Sequence, residues 1–330
     1  MDHAFLGGTG VRVSKLAFGT MTFGREADET TSAKLYAQCR DAGVNVFDCA
    51  NVYAGGRSEE ILGQLVKGHR DEVFVTTKAY FPTGPGPNER GSSRYHLVRA
   101  VEASLRRLDM PYVDLFFLHR FDEVMRLEES LRAVEDLIRQ GKVLYLGVSN
   151  FAAWQTMKAL GIAEREGFSR IACLQPMYNL AKRQAEVELL PMAESEQLGV
   201  FSYSPLAGGL LSGKYASATR PDEGRLTDNK MYQTRYGDEG YYALAERFSA
   251  LARDRRVHPA ALAVAWVAAH PGISAPLVGA RTQSQLETVL TAVEVDMTEE
   301  LYAEISGLWP TPPPATDRSE ERTPHVYGSR

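Results

Sequence analysis

The chain repeats one pattern eight times: a short apolar run, a polar loop and an amphipathic segment. The runs are rich in β-branched and aromatic residues, which is typical of buried strands. They begin near Leu16, Val44, Val73, Val113, Val143, Ile171, Val200 and Ile273. The first seven are spaced by about 28 to 40 residues, a spacing typical of βα units. We therefore expect the α/β class and a (β/α)8 TIM barrel, with an open doubly wound sheet as the alternative.

The segments between the runs predict the helices of this barrel. Residues 93–108 are the clearest case, because Leu97, Val101, Leu105 and Leu108 recur at steps of three and four. Helices are also predicted over 32–42, 59–67, 128–140, 152–166, 185–197 and 260–269, the last beginning at Pro259.

Three parts of the chain fall outside the repeat. The turn Gly7-Gly8-Thr9-Gly10 predicts an N-terminal β-hairpin. A polar loop over residues 207–240 follows the seventh strand, and loops of this length usually serve as lids or binding loops. Residues 310–330 are rich in proline and charge, which predicts a mobile tail. With no linker in between, we expect one barrel domain over residues 1–309.

Charge, cysteine content and hydropathy limit which partners and which cellular location the sequence predicts. The 330 residues carry a formal net charge of -5 and no basic cluster, so we expect no nucleic-acid partner. Three cysteines without metal-ligand spacing indicate reduced thiols, a cytoplasmic location and no metal site. No signal peptide is visible. The longest apolar stretch is about half of the ~20 residues that a membrane span needs, so no membrane partner is expected.

Four polar side chains, Asp48, Tyr53, Lys78 and His119, fall at or just beyond the ends of three consecutive runs. In a barrel they would open onto one face, the usual place for an active site. A phenol has a pKa of about 10, so Tyr53 needs a nearby cation to act as an acid near neutral pH. Lys78, paired with Asp48, would supply that charge, and His119 could orient a carbonyl oxygen. The set suits proton-coupled hydride transfer to a carbonyl, although each residue alone also suits an ordinary structural role.

Other chemistries find less support. An aldolase would use Lys78 as a Schiff-base nucleophile, but Asp48 would favour the charged, non-nucleophilic ammonium. Residues 208–215 are one residue from a P-loop, yet Tyr215 replaces the hydroxyl residue that would hold Mg²⁺. No G-x-G-x-x-G follows a strand, so a Rossmann dehydrogenase has no sequence support.

Seven segments, in order between about residues 5 and 309, resemble the aldo-keto reductase superfamily. They are Gly19-Thr20-Met21, Phe47-Asp48-Cys49-Ala50 with Tyr53, Thr76-Thr77-Lys78, Leu118-His119-Arg120, Gly147-Val148-Ser149-Asn150-Phe151, Gln175-Pro176-Met177-Tyr178-Asn179 and Ser204-Pro205-Leu206-Ala207-Gly208-Gly209. Residues 89–94 and the His119-Arg120 pair resemble the bacterial members related to potassium-channel β subunits. The resemblance implies a barrel that binds NADPH and reduces aldehydes or ketones. It also implies that Asp48, Tyr53, Lys78 and His119 form the catalytic tetrad, with Tyr53 as proton donor.

The same resemblance implies a cofactor site. The matching positions are Gly19, Thr20, Met21, Asp48, Ser149, Asn150, Gln175, Tyr203, Ser204, Pro205, Leu206, Gly208, Lys214, Gly279, Arg281 and Gln285. Ser149, Asn150 and Gln175 match the contacts of the nicotinamide carboxamide, and Tyr203 matches the aromatic that stacks on its ring. Arg281 and Gln285 match the region of the adenosine 2′-phosphate, which favours NADPH over NADH. Thr288-Val289 departs from the Glu-Asn pair that many members carry near the adenine.

The expected substrate is a small carbonyl compound. Candidate pocket residues are Phe23, Tyr53, Tyr80, Phe81, His119, Arg120, Tyr232 and Tyr236. Arg120 could bind a carboxylate, a phosphate or a sugar hydroxyl, or form an ion pair with Asp122 or Glu123. Sugars, ketones and aromatic aldehydes all fit such a pocket, and a homo-oligomer is compatible with the sequence. The alternative function is an NADPH-binding, redox-sensing regulatory subunit akin to channel β subunits.

Overall fold

The computed structural model describes residues 1–218 and 220–318, and its centre is a closed barrel of eight parallel strands. The predicted tail therefore lies outside the described residues from 319 onward. The barrel strands are β3 (Ala17–Gly19), β4 (Val46–Asp48), β5 (Phe74–Ala79), β6 (Val113–Leu118), β7 (Val143–Ser149), β8 (Ile171–Gln175), β9 (Gly199–Ser202) and β10 (Ala275–Val278). Each pairs with the next, and β10 closes the ring on β3. The predicted (β/α)8 barrel is confirmed, and every predicted strand start lies within two residues of the observed one.

Helices follow the strands and cover the outside of the barrel. They are α1 (Glu29–Asp41), α2 (Arg57–Leu65), α3 (Arg94–Leu108), α4 (Leu127–Arg139), α5 (Ala153–Glu166), α6 (Leu189–Ser195), α7 (Arg225–Asp228), α8 (Lys230–Tyr236), α9 (Glu239–Asp254), α10 (Pro259–Ala268), α11 (Gln283–Leu290) and α12 (Glu299–Ser306). Their ends follow local chemistry. In α3, for example, the Ser93 side chain accepts a hydrogen bond from the amide of His96, and Asp109 ends the helix in the left-handed region at φ 52°.

An antiparallel hairpin, β1 (His3–Phe5) and β2 (Arg12–Ser14), closes the amino-terminal end of the barrel, as the sequence predicts. Leu6 and Val13 from this hairpin pack with the inward-facing side chains of the strands, among them Val46, Phe117 and Phe201. No side chain could replace the hydrogen of Gly199, since a Cβ there would lie 2.3 Å from Leu6. The interior of the barrel is therefore packed with apolar groups at this end.

The long loop after β9 differs from the sequence prediction. It is not a structureless polar loop over 207–240, because Ala207–Ser212 forms a 3-10 turn and α7 and α8 follow within it. Tyr232 and Tyr236 of α8 are buried against the rest of the protein. The sequence pattern missed these helices because each is too short to show a repeat.

No helix in the described ranges is both long and apolar enough to cross a bilayer. Residues 260–269, the longest apolar stretch of the sequence, correspond to α10, and eight of its residues are buried. This helix packs inside the protein, as its composition predicts.

Candidate active site

Strand alternation brings the predicted catalytic residues to one end of the barrel. Val46, Phe74 and Phe117 face the barrel interior. Side chains two residues further along a strand face the same side, so Asp48 lies above Val46 and His119 above Phe117. Lys78, four residues beyond Phe74, joins them, and Lys78 is paired in register with Phe117. The apolar interior thus ends in a layer of charged and polar groups.

A buried ion pair lies at the centre of this layer. Lys78 Nζ is 2.5 Å from Asp48 Oδ2 and donates a second hydrogen bond of 2.7 Å to the carbonyl of Cys49. Both charged side chains are almost completely buried. Burial alone would lower the pKa of Lys78, but the attraction of Asp48 and its neighbours outweighs it and raises the pKa. Lys78 is therefore held as an ammonium.

Asp48 accepts two further hydrogen bonds. Thr76 Oγ1 donates to Asp48 Oδ1 at 2.6 Å, and Gln175 Nε2 donates to the same oxygen at 2.9 Å. The contact with Thr76 is not among the sequence predictions, although Thr76 lies two residues before Lys78 and hence on the same face of β5. Together the three donors fix the carboxylate and leave it no freedom to turn away from Lys78.

Tyr53 enters from the loop after β4. Its hydroxyl is 3.5 Å from Lys78 Nζ, and its ring meets that of His119 edge-on at 6.2 Å. Burial raises the pKa of Tyr53 to about 12, and the charge of Lys78 acts in the opposite direction. The sequence argument expected the cation to dominate. In the structure burial has the larger effect, so Tyr53 stays protonated at neutral pH although its side chain remains partly exposed.

His119 follows β6 and is 8% exposed. Its backbone amide donates to the carbonyl of Ala79, and the ring of Phe81 packs edge-on against the imidazole at 4.9 Å. Burial, with a smaller contribution from the charge of Lys78, holds the pKa of His119 well below its ordinary value. The imidazole is therefore neutral near pH 7 and has one N–H to donate.

A second hydrogen-bonded group adjoins His119 across β7 to β9. Tyr203 donates from its hydroxyl to Asn150 Oδ1 at 2.7 Å, and Asn150 Nδ2 donates to the carbonyl of His119 at 2.9 Å. Ser149 Oγ donates to the carbonyl of Gln175 at 2.9 Å. The amide and hydroxyl groups predicted to hold a nicotinamide carboxamide are thus brought together beside the ion pair.

Backbone strain marks the loops on this face. Asn150 has φ 55°, and Ser204 and Ala207 have φ 59° and 50°. Such left-handed conformations are costly for residues other than glycine and persist where the surroundings enforce them. Here Asn179 Nδ2 donates to the carbonyl of Ser204 at 2.9 Å, which holds the turn after β9 in place.

Three cations act on one another beyond the strand ends: Lys214 and Arg225 in the loop after β9, and Arg281 after β10. Burial, and then the charges of Arg281 and Arg225, lower the pKa of Lys214. None of the three has a carboxylate within 4.0 Å in the described ranges. Lys214 and Arg281 are sequence predictions, whereas Arg225 is not, because nothing in the polar stretch around it marks its position. Asp228 offsets part of this repulsion, and the remaining excess of positive charge makes the three cations a suitable site for phosphate groups.

Comparison with known proteins places the site in a family. The profile described as the Aldo/keto reductase family matches residues 15–310. The chain belongs to this family. It is 38% identical to an uncharacterised oxidoreductase of Bacillus subtilis, over 94% of this chain and 97% of the relative. It is 38% identical to a probable voltage-gated potassium channel subunit beta of Arabidopsis thaliana (89% and 92%) and 32% identical to a putative aryl-alcohol dehydrogenase of Schizosaccharomyces pombe (90% and 93%).

Membership of the aldo/keto reductase family makes the chain an oxidoreductase and supports carbonyl reduction in general. The family generally uses nicotinamide cofactors. No cluster of three or more metal-ligating side chains occurs in the part of the chain that the structure describes.

The remaining predicted cofactor positions of this aldo/keto reductase lie at the ends of the barrel strands or in the loops that follow them. We call this end of the barrel, which carries Asp48 and Lys78, the mouth. Thr20 is fully buried, with its hydroxyl donating to the carbonyl of Asp48 at 3.1 Å, between Gly19 and Met21. Pro205, Leu206 and Gly208 form the turn after Tyr203. Gly279 follows β10, and Gln285 Oε1 accepts a hydrogen bond from the amide of Arg281 at 3.0 Å. The helix here, α11, begins at Gln283, with Thr282 as its N-cap.

The predicted pocket residues are not all brought to the mouth. Tyr80 and Phe81 are half-buried and pack edge-on at 5.4 Å, with Phe81 next to His119. Phe23, in contrast, is fully buried against Phe18 at 5.6 Å and lies in the core. Arg120 is exposed, and the predicted ion pair with Asp122 or Glu123 does not form. Instead Asp122 accepts hydrogen bonds from the amides of Ser92 and Val124.

The two tyrosines of α8 are buried rather than open to a pocket. Tyr236 donates from its hydroxyl to Met177 Sδ at 3.5 Å and accepts from Asn179 Nδ2 at 3.1 Å. The ring of Tyr232 packs on Gly208, where a Cβ would lie 2.6 Å from it. Both residues hold α8 against the turn that follows β9.

Proposed function

We propose that the protein reduces an aldehyde or ketone to an alcohol with NADPH, and that Tyr53 donates the proton. The observation that carries the proposal is the position of Lys78 Nζ, 2.5 Å from Asp48 Oδ2 and 3.5 Å from the hydroxyl of Tyr53. An ammonium fixed on one side by a carboxylate and directed on the other at a phenol suits proton transfer to a carbonyl oxygen.

Each of the four side chains has a separate role in the proposed reaction. Tyr53 is protonated at neutral pH, so it can donate to the oxygen of the substrate. Lys78 stabilises the phenolate that remains after donation, and Asp48 holds Lys78 in place. Neutral His119 donates a hydrogen bond to the same oxygen and orients the carbonyl. Because His119 is buried and Tyr53 is half-buried, these contacts are less screened by water than contacts on an exposed surface.

The residues on the neighbouring strands fit a nicotinamide dinucleotide phosphate. A bound NADPH would supply the hydride from nicotinamide C4. Ser149, Asn150 and Gln175 offer amide and hydroxyl groups to the carboxamide, and Gln175 keeps Oε1 free because its Nε2 is bonded to Asp48. The unpaired cations Lys214, Arg225 and Arg281 suit the phosphates. Three of them exceed what a pyrophosphate alone would need, which favours NADPH over NADH.

The test follows the hydride itself. The parent protein is incubated with NADPH deuterated at C4 and with a panel of aldehydes and ketones, and the alcohol is analysed by mass spectrometry. We expect the alcohol of at least one carbonyl to carry one deuterium at the former carbonyl carbon, with one cofactor oxidised per alcohol formed. Oxidation of the cofactor without deuterium in any product would contradict the proposal.

A second candidate function is favoured by the relative in Arabidopsis thaliana, whose name is that of a probable potassium channel β subunit. A sensor of this kind would bind NADPH and pass its redox state to a partner, with conversion of carbonyls slow or limited to one turnover. Steady oxidation of many equivalents of NADPH would support the reductase, whereas a single burst followed by arrest would support the sensor.

We place this reductase in the cytoplasm. Cys39, Cys49 and Cys173 are all buried and free, which fits a compartment that keeps thiols reduced. Localisation of a tagged chain by fluorescence microscopy or fractionation would test this placement.

A further inference from the structure

One arginine near the site is used by neither the proposed proton transfer nor the phosphate cluster. Arg235, in α8, is half-buried, and its guanidinium lies 5.7 Å from the centre of the Tyr232 ring. No carboxylate of residues 1–218 or 220–318 comes within 4.0 Å of it. A partly buried cation without an anion is costly to maintain, so a ligand that supplies the anion is the natural explanation.

The end of α8 is fixed beside the reacting groups. The hydroxyl of Tyr236, next to Arg235, accepts from Asn179 Nδ2 at 3.1 Å, and Asn179 in turn bonds the carbonyl of Ser204. Ser204 follows Tyr203, whose hydroxyl bonds Asn150 next to His119. Burial raises the pKa of Tyr203, and the positive charge of Arg235 acts in the opposite direction. Arg235 therefore lies on the same side of the mouth as the nicotinamide-binding residues.

Arg235 and one member of the phosphate cluster, Arg225, both lie beside the ring of Tyr232. Arg225 and Arg235 are 5.6 Å and 5.7 Å from the centre of the Tyr232 ring. Arg225 acts electrostatically on Lys214 together with Arg281, whereas Arg235 acts on Tyr203. Together with the hydrogen bonds that hold the end of α8, this difference associates Arg235 with the reacting end of the site and Arg225 with the phosphates of the cofactor.

We propose that Arg235 binds a carboxylate of the substrate, so that the preferred substrates are aldehydes or ketones that also carry a carboxylate group. The inference rests on the proposed reductase function. A guanidinium suits this role because its planar fork accepts a carboxylate in a bidentate manner. Arg120, the arginine that the sequence suggests for this role, is exposed and makes no contact that would aim it at the site. Arg235, in contrast, is held by Tyr232.

The experiment compares 4-carboxybenzaldehyde with its neutral methyl ester, methyl 4-formylbenzoate. Both carry the same aldehyde, and they differ in the charge and in one methyl group. Binding to the NADPH-loaded protein is measured by calorimetry, and turnover by the loss of NADPH absorbance. We expect the parent to bind the carboxylate more tightly than the ester by about tenfold, the size of one charge-assisted contact.

Arg235→Gln should weaken binding of the carboxylate by about tenfold and raise its KM, while Kd for the ester and for NADPH stay within about twofold. Arg235→Lys keeps the charge without the fork and should recover part of the preference. Arg132→Gln is the matched control, because Arg132 also lies over an aromatic ring, Phe168 at 4.6 Å, on the remote helix α4. It should leave both compounds unaffected.

Three outcomes would overturn the proposal: equal binding of the two compounds by the parent, an equal loss for both compounds in Arg235→Gln, or weaker NADPH binding in Arg235→Gln. A loss of the preference in Arg120→Gln instead of Arg235→Gln would also overturn it. Failure of the reductase function gives a different pattern, in which the calorimetric preference persists and no compound is turned over.

Discussion

The two halves of the site are built in opposite ways. On strands β4 to β6, Lys78 and Asp48 are buried and paired, and each has several hydrogen-bond partners within the protein. Lys214 and Arg225, in the loop after β9, lie with Arg281, which follows β10, and none of the three forms an ion pair within 4.0 Å in the described ranges. In the first half, the charges of Lys78 and Asp48 are paired within the protein. In the second half, the three cations have no ion-pair partner in the described ranges and are available to an anionic ligand.

This contrast separates what folding completes from what a ligand completes. The Lys78–Asp48 pair is fixed as soon as the barrel closes, because neighbouring strands carry both residues. The cations after β9 repel one another until an anion arrives, so binding should add stability there and not at the ion pair. The predictions below test each half.

The largest effect is expected from Lys78→Met. The change leaves the carboxylate of Asp48 buried without its cation, which should cost about 3 to 5 kcal/mol of unfolding free energy and abolish turnover. Urea unfolding followed by circular dichroism measures it. The control is Lys67→Met, which breaks a pair with Asp109 that is 68% and 63% exposed and should change stability little. Equal losses in the two variants would contradict the account of a buried, self-contained half.

Arg281→Gln should act on the other half. It removes one of three cations, so Kd for NADPH should rise by about tenfold or more while Kd for NADH changes little. Fluorescence titration with each cofactor measures this. Arg253→Gln, an exposed change in α9, serves as the control. Equal weakening of both cofactors would show that Arg281 does not distinguish the 2′-phosphate.

Gly147→Ala tests the packing below the ion pair. A Cβ at this position would lie 2.5 Å from the ring of Phe117, inside the barrel, and should cost about 1 to 3 kcal/mol. Gly161→Ala in α5 is the matched control, because nothing lies within 4 Å of its added Cβ and alanine favours a helix by about 1 kcal/mol. Thermal unfolding should therefore shift in opposite directions for the two variants. A shift in the same direction would mean that the barrel interior yields more easily than its packing indicates.

The smallest effect is expected from pH. The pKa of His119 is held well below its ordinary value, so the imidazole stays neutral as the pH falls from about 8 to about 6, where an ordinary histidine would gain charge. The pKa of Tyr53 is raised to about 12, so the proton donor is present throughout. The kcat/KM for carbonyl reduction should therefore stay nearly constant across this range. A fall with a midpoint near about 6.5 would show that His119 titrates normally.

Much of the barrel can be predicted from the sequence, because its strands appear as continuous apolar runs and its longer helices as apolar residues at steps of three and four. The eight apolar runs predict strands within two residues of where they begin, since buried parallel strands need continuous apolar sequence. The helices α7 and α8 could not be predicted in this way. Four and seven residues are too few to show a repeat, and tertiary contacts of Tyr232 and Tyr236 hold them.

The same distinction between predictable and unpredictable features applies to the candidate active site. The positions of Asp48, Lys78 and His119 follow from strand ends and alternation, so the sequence places them close together. The sequence does not predict the direction in which the pKa of Tyr53 is shifted, because that direction depends on how much solvent the fold excludes. The sequence does not predict the positions of Arg225 and Arg235 either, since both lie in a segment whose path is set by tertiary packing.

The most direct test of the central claim is the Tyr53→Phe protein, measured for NADPH binding and for carbonyl turnover in the same preparation. The change removes one hydroxyl from a half-buried side chain and leaves the Lys78–Asp48 pair intact. We expect Kd for NADPH within about twofold of the parent and a loss of turnover of about a hundredfold or more, the scale of general acid catalysis. Tyr95→Phe, on the exposed face of α3, should match the parent in both. Turnover of Tyr53→Phe at the rate of the parent would show that the proton comes from elsewhere.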